Sequence, residues 1–253
     1  QWKARSLHRG CAADRAYVAT LGDTSGATVS EAHGYGMLIT VYMAGHDREA
    51  RTTFDALVRF YQDHPSRYTP ALLAWAQDAA CRDIMGADSA TDGALDVAYA
   101  LLLADRQWGS RGAIDYAALA RRVAADILRG DVHPTASTLL TGDAARTAAD
   151  RDGTRLSDFM PAHLRAFAAA SGSARWTAVL DREYQLVATL QRDHTRSALG
   201  LSTGLLPDFA VGMNSARPVA APPRWLEGPD DGAYSWNACR APWRIAMDWL
   251  HHG

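Results

Sequence analysis

Apolar side chains recur at steps of three and four residues through most of the chain, which is the spacing of one face of an α-helix. In residues 31–44 such a face is formed by Tyr35, Leu38, Ile39, Tyr42 and Met43. The same spacing predicts helices at residues 31–44, 48–64, 93–108, 115–129, 157–171, 175–193 and 235–251. Ser30 precedes the first of them, and we expect its hydroxyl to cap that helix by accepting a backbone N–H.

Residues 93–108 are apolar nearly all round, which indicates a helix buried between others. No alternating strand pattern accompanies the helices, so the pattern predicts an all-α fold of helical hairpins in a ring or layered bundle. Residues 201–231 lack a helical pattern and contain several prolines and glycines, which favours a functional loop. Because no linker-like segment divides the sequence, we expect residues 1–253 to form one domain.

Composition excludes several classes of protein. The 26 basic and 28 acidic side chains nearly cancel, so no charge imbalance points to nucleic acid or an anionic membrane surface as a partner. The longest uncharged apolar run is far shorter than the ~20 residues of a membrane-spanning helix. Cys11, Cys81 and Cys239 are too few for a disulfide framework, and any single bridge leaves one thiol over. No metal-binding or cofactor-binding motif is found, so neither a metal nor a cofactor is expected.

Residues 29–37 carry the first of three unusual polar segments. Glu31 lies there beside His33, Gly34 and Gly36. A glutamate in a first helical turn usually only compensates the helix dipole. Two glycines near a helix start, however, cost about 1 kcal/mol each relative to alanine, which suggests that something approaches the backbone closely. His33 is as well explained by a place in the core as by a contact with substrate.

The second and third segments are residues 89–96 and 225–244. In the second, Thr91 or Asp92 is expected to cap the helix that follows, unless Asp92 has a functional role. The third combines three tryptophans, a tyrosine, three carboxylates and two arginines within twenty residues. It is either an aromatic-rich loop that covers the core or a binding surface, and the many charges favour the binding surface.

Carboxylates together with aromatic rings, without a metal or phosphate motif, point to carbohydrate chemistry. The C–H faces of sugars stack on tryptophan and tyrosine, and sugar hydroxyls bond to acidic, amide and guanidinium groups. Hydrolysis of a glycosidic bond needs one carboxylic acid to protonate the leaving oxygen and a second carboxylate to act as nucleophile or to activate water.

Five motifs, in the same order along the chain, resemble those of glycoside hydrolase family 8. They are Ser-Glu-x-x-Gly-Tyr-Gly-Met at residues 30–37, Ala-Thr-Asp-Gly-x-x-Asp at 90–96, Ser-Asp-Phe-Met-Pro at 157–161, Leu-Pro-Asp at 206–208 and Asn-x-Cys-Arg-x-Pro-Trp-Arg at 237–244. The resemblance implies an (α/α)6 barrel with Glu31 as general acid and with Asp92 binding and distorting the sugar at the cleavage site. The substrate-binding residues it implies are Trp75, Tyr35, Trp236, Asn237, Arg240, Asp158 and Asp230.

The general base departs from one branch of that family, in which an aspartate stands at the place of Asn237. An amide cannot usefully accept a proton from water, so the base must come from elsewhere. The branches of the family with an asparagine there, which include chitosanases and lichenases, resemble this chain in carrying an acidic residue in the preceding loop. That resemblance implies Glu227, ten residues upstream, as the base, with Asp230 as the second choice. The family inverts the anomeric configuration, and the two carboxyl groups of an inverting enzyme lie roughly 6.5–9.5 Å apart.

The sequence is therefore predicted to be an endo-acting inverting glycosidase for internal β-1,4 linkages of a polysaccharide, as a secreted monomer. The substrate could be β-glucan or cellulose, lichenan, or chitosan, whose ammonium groups the Asp230–Asp231 pair could bind. Set against the twelve helices of the family, the chain is expected to lack the last ones. The alternatives are a non-catalytic saccharide-binding protein on the same scaffold and a helical toroid of unrelated function.

Overall fold

The computed structural model describes residues 1–20, 27–194, 204–215 and 217–253. Within the predicted loop 201–231, residues 201–203 and Ala216 thus lie outside the described residues. The chain divides into two compact units, the first comprising residues 1–130 and 142–144 and the second residues 131–141 and 145–253. The single domain over residues 1–253 stays a prediction.

The first unit combines helices with short antiparallel strands. Its helices are α1 (Trp2–Ser6), α2 (Ser30–Tyr42), α3 (Ala50–Asp63), α4 (Thr91–Trp108) and α5 (Tyr116–Gly130). Its strands are β1 (Leu7–Arg9), β2 (Ala16–Val18), β3 (Thr28–Val29), β4 (Ala74–Gln77) and β5 (Asp83–Ser89). β1 pairs with β2, and β3, β4 and β5 form a second sheet in that order.

Helices α2 and α4 run side by side in the same direction at very close range. A Cβ atom added to Gly93 would lie 2.3 Å from the Ser30 hydroxyl, and one added to Gly34 would lie 2.7 Å from the Asp96 Cβ. On another side of α2, a Cβ at Gly36 would lie 2.2 Å from a methyl group of Val18. The glycines of α2 therefore do permit a close approach to the backbone, as predicted, and what approaches is the protein itself.

The all-round apolar helix predicted at residues 93–108 is confirmed as a buried element. α4 packs against both α2 and α5, and its Leu95 and Leu101 have no exposed surface. At its end, Trp108 packs edge-on against Phe54 of α3, with ring centroids 5.3 Å apart. Tyr116 of α5 meets the same Phe54 ring at 5.6 Å. These aromatic contacts join α3, α4 and α5 into one core.

A disulfide bond joins Cys11 to Cys81, and Cys239 is a free, exposed thiol. Cys11 lies in the turn between β1 and β2, and Cys81 in the turn between β4 and β5. The bridge therefore ties the tips of two hairpins that are 70 residues apart in sequence. It also resolves the odd cysteine count that the sequence left open.

The second unit contains helices α6 (Pro161–Ser171), α7 (Ala174–His194) and α8 (Ala241–His252) and strands β6 (Gly153–Arg155), β7 (Phe209–Val211) and β8 (Val219–Ala220). The strands form one antiparallel sheet in the order β6, β7, β8. Short 3₁₀ helices accompany them at Asp150–Asp152, Leu156–Asp158 and Ala238–Arg240.

A buried carboxylate joins helices α6, α7 and α8. Arg165 of α6 donates two hydrogen bonds to Asp248 of α8, at 2.8 and 3.0 Å, and the Tyr184 hydroxyl of α7 donates to the same carboxylate at 2.6 Å. Burial alone raises the pKa of Asp248, but the hydrogen bonds from Arg165 and Tyr184 outweigh it and hold the pKa below its usual value. Asp248 therefore stays ionised while joining α6, α7 and α8.

Helix starts differ from the sequence-based expectations in four places. Ser30 does not cap α2, because β3 runs directly into the helix and makes Val29 the N-cap, so that Ser30 lies inside the first turn. The cap expected from Thr91 or Asp92 is wrong for the same reason, since the N-cap of α4 is Ala90. The helices predicted from residues 157 and 235 begin later, at Pro161 and Ala241, each after a 3₁₀ turn.

Among the helices of the described residues, none has the length and apolar character needed to cross a membrane. The same part of the chain holds no cluster of three or more His, Cys, Asp or Glu side chains suited to a metal ion.

The disulfide should stabilise the first unit considerably. Replacing Cys11 and Cys81 together by serine is expected to lower the free energy of unfolding by about 2–4 kcal/mol, because a closed loop of this length restricts the unfolded chain. Urea unfolding followed by circular dichroism measures the change. Cys239→Ser is the control and should change stability by less than ~0.5 kcal/mol; equal stability of the double variant would contradict the prediction.

Close packing of α2 on α4 predicts a large cost for a single methyl group at Gly93. In Gly93→Ala the new Cβ would also lie 2.7 Å from the Ser30 carbonyl carbon, so the helices must separate, at a cost of about 1–3 kcal/mol. Gly45→Ala is the matched control, because no atom lies within 4 Å of its added Cβ. Thermal unfolding of both variants tests this, and equal melting temperatures would show that the helix pair is not tightly packed.

Candidate active site

The carboxylate of Glu31 is placed by the junction of a strand and a helix. β3 leads directly into α2, so Glu31 lies in the first turn of the helix. β3 pairs with β4 in a register that sets Val29 opposite Ala76, which brings Trp75 beside the start of α2. The Trp75 indole N–H donates to the Glu31 carboxylate, at 3.0 Å from Oε2 and 3.3 Å from Oε1, and the Ser30 hydroxyl donates to Oε2 at 3.2 Å. Glu31 is half-buried, so it is oriented by the protein but open to a reactant.

Asp92 lies at the corresponding position of α4. It is in the first turn of that helix, is almost fully buried, and accepts the backbone N–H of Gly93 at 2.9 Å. Because Gly93 contacts Ser30, the residues next to them, Asp92 and Glu31, lie at the same end of the helix pair. Both carboxylates therefore experience the positive ends of two parallel helix dipoles.

His33 belongs to the core rather than to a binding surface. Its Nε2 lies 3.0 Å from the Leu57 carbonyl oxygen, and its ring stacks on Phe60 with centroids 5.3 Å apart. Burial lowers the pKa of His33 to about 4, so the ring is neutral at physiological pH and Nε2 carries the proton that it donates. Of the two explanations left open by the sequence, the structure supports the core.

In the second unit, Glu227 is held by two donors from distant parts of the sequence. Arg155 Nη2 donates to Oε1 at 2.9 Å, and Asn237 Nδ2 donates to Oε2 at 2.7 Å. The Asn237 oxygen in turn accepts from Arg240 Nη2 at 2.9 Å, and the same nitrogen of Arg240 donates to the Ser157 hydroxyl at 2.9 Å. The Glu227 side chain is 47% exposed, so its carboxylate is fixed in direction yet reachable from solvent.

The remaining predicted residues of this unit differ widely in exposure. Asp158 has no exposed surface and lies 3.9 Å from Arg155 Nη1. It also faces Glu183 of α7, whose pKa is raised well above its usual value by burial and by nearby carboxylates. Trp236 is 90% exposed beside Asn237, whereas Asp230 is exposed at the end of the loop.

The loop that carries Glu227 is anchored at both ends. Trp225 packs so tightly on Gly153 that a Cβ there would lie 2.1 Å from the indole ring, and its ring lies 5.5 Å from that of Phe209. At the other end, Asp208 accepts the backbone N–H groups of Ser235 and Ala238, at 3.0 and 2.7 Å. The segments on both sides of Glu227 are thereby attached to the β6–β7 sheet.

Sequence reasoning missed Arg155 and Asp208 as parts of this site and gave Asp231 a different role. Arg155 is 72 residues from Glu227, so no local spacing could associate the two. Asp208 lies in the Leu-Pro-Asp motif that carried part of the family resemblance, which was a usable signal. Asp231 was grouped with Asp230 as a pair, although Asp231 is buried and Asp230 is exposed.

Glu31 in the first unit and Glu227 in the second are thus accessible carboxylates with defined hydrogen-bond donors. Glu31 receives an indole N–H and a hydroxyl. Glu227 receives a guanidinium and an amide. Carboxyl groups held in this way are suited to proton transfer to or from a bound reactant.

Comparison with known proteins identifies the family to which the chain belongs. Residues 1–250 match the family described as Glycosyl hydrolases family 8. The chain is 49% identical to a beta-glucanase of Niallia circulans over 231 residues, which is 91% of this chain and 55% of that protein. It is 38% identical to an endoglucanase of Bacillus sp. strain KSM-330, over 88% of this chain and 46% of that protein. The chain spans about half the length of these relatives.

Solved structures give the same result. The apo β-1,3-1,4-glucanase of Paenibacillus sp. X4 matches with a TM-score of 0.91 and 45% identity, over 98% of this chain and 63% of that chain. Rex8A of Paenibacillus barcinonensis matches in fold with a TM-score of 0.76 at 21% identity, over 97% of this chain and 61% of that one. These matches confirm the predicted fold class, all-α of the (α/α)6 type, to which the short strands are additions. The chain belongs to glycosyl hydrolase family 8.

Proposed function

We propose that this chain carries the acid and base of an endo-acting β-glucanase that hydrolyses its substrate with inversion of configuration. Glu31 is the general acid, which protonates the leaving glycosidic oxygen, and Glu227 is the general base, which takes a proton from the attacking water. The observation that carries the proposal is the hydrogen bond from Asn237 to Glu227. Through this bond the half-exposed carboxylate of Glu227 lies directly beside Asn237, the residue that stands where one branch of the family has its base.

The hydrogen-bond donors around Glu227 are compatible with a general base that binds a water molecule. Arg155 and Asn237 each occupy one carboxylate oxygen, so the remaining lone pairs are left for a water molecule. Asp158, which has no exposed surface and lies 3.9 Å from Arg155 Nη1, supports the charge of that guanidinium in this proposal. Asp92 is the residue we propose for binding the sugar at the cleavage site, while Trp236 offers its exposed ring as a stacking surface.

A β-1,3-1,4-glucan is the substrate that we favour. The relatives at 49% and 45% identity are described as a beta-glucanase and a β-1,3-1,4-glucanase. Of the Asp230–Asp231 pair that could have bound the ammonium groups of chitosan, Asp230 is exposed and Asp231 is buried. We further propose that the protein is secreted, since a disulfide such as Cys11–Cys81 persists in oxidising surroundings.

Glutamine variants of the two glutamates separate the proposed roles. Glu31→Gln and Glu227→Gln should each lower kcat on lichenan by about 10²–10⁴-fold, because each removes one proton transfer. On a dinitrophenyl β-cellobioside the leaving group needs no proton, so Glu31→Gln should regain most of its activity and Glu227→Gln should not. Reducing-end release measures the first activity and dinitrophenolate absorbance the second.

Glu49→Gln is the matched control, since the Glu49 side chain is 75% exposed and distant in sequence from both residues. Proton NMR of the first products should show the α-anomer at the new reducing end, as inversion at a β-linkage requires. Full activity of either glutamine variant on lichenan would refute its assigned role. Binding of glucan by the unaltered chain without new reducing ends would support the saccharide-binding alternative.

Trp75 should act through Glu31 rather than through sugar stacking alone. Trp75→Phe keeps an aromatic face but loses the N–H that Glu31 accepts, a charge-assisted bond worth about 1.5–3 kcal/mol. We expect kcat on lichenan to fall roughly 10- to 100-fold with little change in KM. The loss should be much smaller on the dinitrophenyl substrate. Unchanged kcat with a raised KM would instead identify Trp75 as a stacking platform.

A further inference from the structure

The loop that carries Glu227 is organised around the buried carboxylate of Asp231. Asp231 is 3% exposed. Its Oδ2 accepts the backbone N–H groups of Leu226 and Glu227, at 2.7 and 3.0 Å, and its Oδ1 accepts that of Gly228 at 2.8 Å. Three successive peptide groups therefore converge on one side chain, and the middle one belongs to Glu227.

The carboxylate is suited to this role because it stays ionised. Burial raises the pKa of Asp231, but the N–H groups of Leu226, Gly228 and Glu227 favour the anion more strongly, and the pKa lies below its usual value. Asp231 is itself attached to the sheet, since its carbonyl oxygen accepts the Phe209 N–H of β7 at 2.8 Å. Asp231 thereby connects the middle of the loop directly to β7.

We propose that Asp231 is a positioning residue for the general base, acting through the backbone of Glu227. The inference rests on the proposed role of Glu227. Arg155 and Asn237 hold only the end of the Glu227 side chain, so its backbone must be fixed separately if the carboxylate is to meet both. Catalysis depends steeply on such placement, and an error of about 1 Å can cost roughly 100-fold in rate.

Asp231→Asn tests the inference. An amide offers one acceptor oxygen in place of two, so at least one of the three N–H groups would face an NH₂ group. We expect kcat on lichenan to fall about 10- to 100-fold with KM nearly unchanged. The loss should persist on the dinitrophenyl substrate, because the base is needed there too.

Asp152→Asn is the matched control. Asp152 also accepts two backbone N–H groups of a loop in the second unit, from Gly212 at 3.2 Å and Asn214 at 2.8 Å, but that loop does not carry Glu227. It should lose a comparable amount of thermal stability and keep its kcat. A similar loss of kcat in both variants would overturn the inference, because general loosening would then explain it.

The double variant Glu227→Gln with Asp231→Asn separates positioning from a purely structural role. If Asp231 acts through Glu227, the double variant should be no slower than Glu227→Gln alone. A further, multiplicative loss would overturn the inference.

Two results keep this test distinct from that of the proposed function. Full activity of Glu227→Gln refutes the proposed base, whereas an inactive Glu227→Gln with a fully active Asp231→Asn refutes only the positioning role. If Asp231→Asn does not fold, hydrogen exchange of the unaltered protein decides. The amides of residues 226–228 should be protected, and exchange at the rate of a free peptide would overturn the inference.

Discussion

Irregular segments can be buried in a protein only if their backbone N–H groups find acceptors, and this chain meets the requirement repeatedly with aspartates. Asp143 accepts the N–H of Ser89 at the junction of β5 and α4. Asp126 of α5 accepts that of Ala71. In the second unit Asp208 and Asp231 do the same for the segments on either side of the proposed base. A carboxylate serves well because it accepts several N–H groups at once and is stabilised as an anion by them.

The two proposed catalytic carboxylates are positioned by different physical means. Glu31 begins a helix whose close packing against α4 depends on Gly34 and Gly93, and its direction is set by an indole N–H. Glu227 lies in a loop without regular structure, and its direction is set by hydrogen bonds alone. Regular packing tolerates moderate changes in distant residues, whereas a loop organised around one buried side chain depends on that side chain. In the second unit, the position of Glu227 is therefore expected to be sensitive to substitution of a few polar residues.

Sequence patterns predicted α3 and α5 because each has a wide apolar face, and α4 because it is apolar throughout. They did not predict the strands. Strands such as β3 and β8 are too short to show a period of two, and the seven residues of β5 do not alternate between apolar and polar side chains. Glu31 could be proposed from its motif. Glu227 could be proposed because the amide of Asn237 cannot accept a proton from water, so that a nearby carboxylate is needed. Arg155 could not, because the fold and not the local sequence brings it to Glu227 across 72 residues.

The identities of residues 227 and 237 are chemically linked. Asn237 accepts a hydrogen bond from Arg240 through its oxygen and donates one to Glu227 through its nitrogen. Both hydrogen bonds therefore point from the guanidinium toward the carboxylate. An aspartate at 237 has no proton to donate when ionised, and its oxygen would lie 2.7 Å from that of Glu227. Two carboxylates at that distance cannot both be charged, so one would keep a proton and the proposed base would lose part of its basicity. A base at residue 227 thus requires an uncharged hydrogen-bond donor at residue 237. The amide of Asn237 cannot itself be the base, but it is the group that fits beside a base at residue 227.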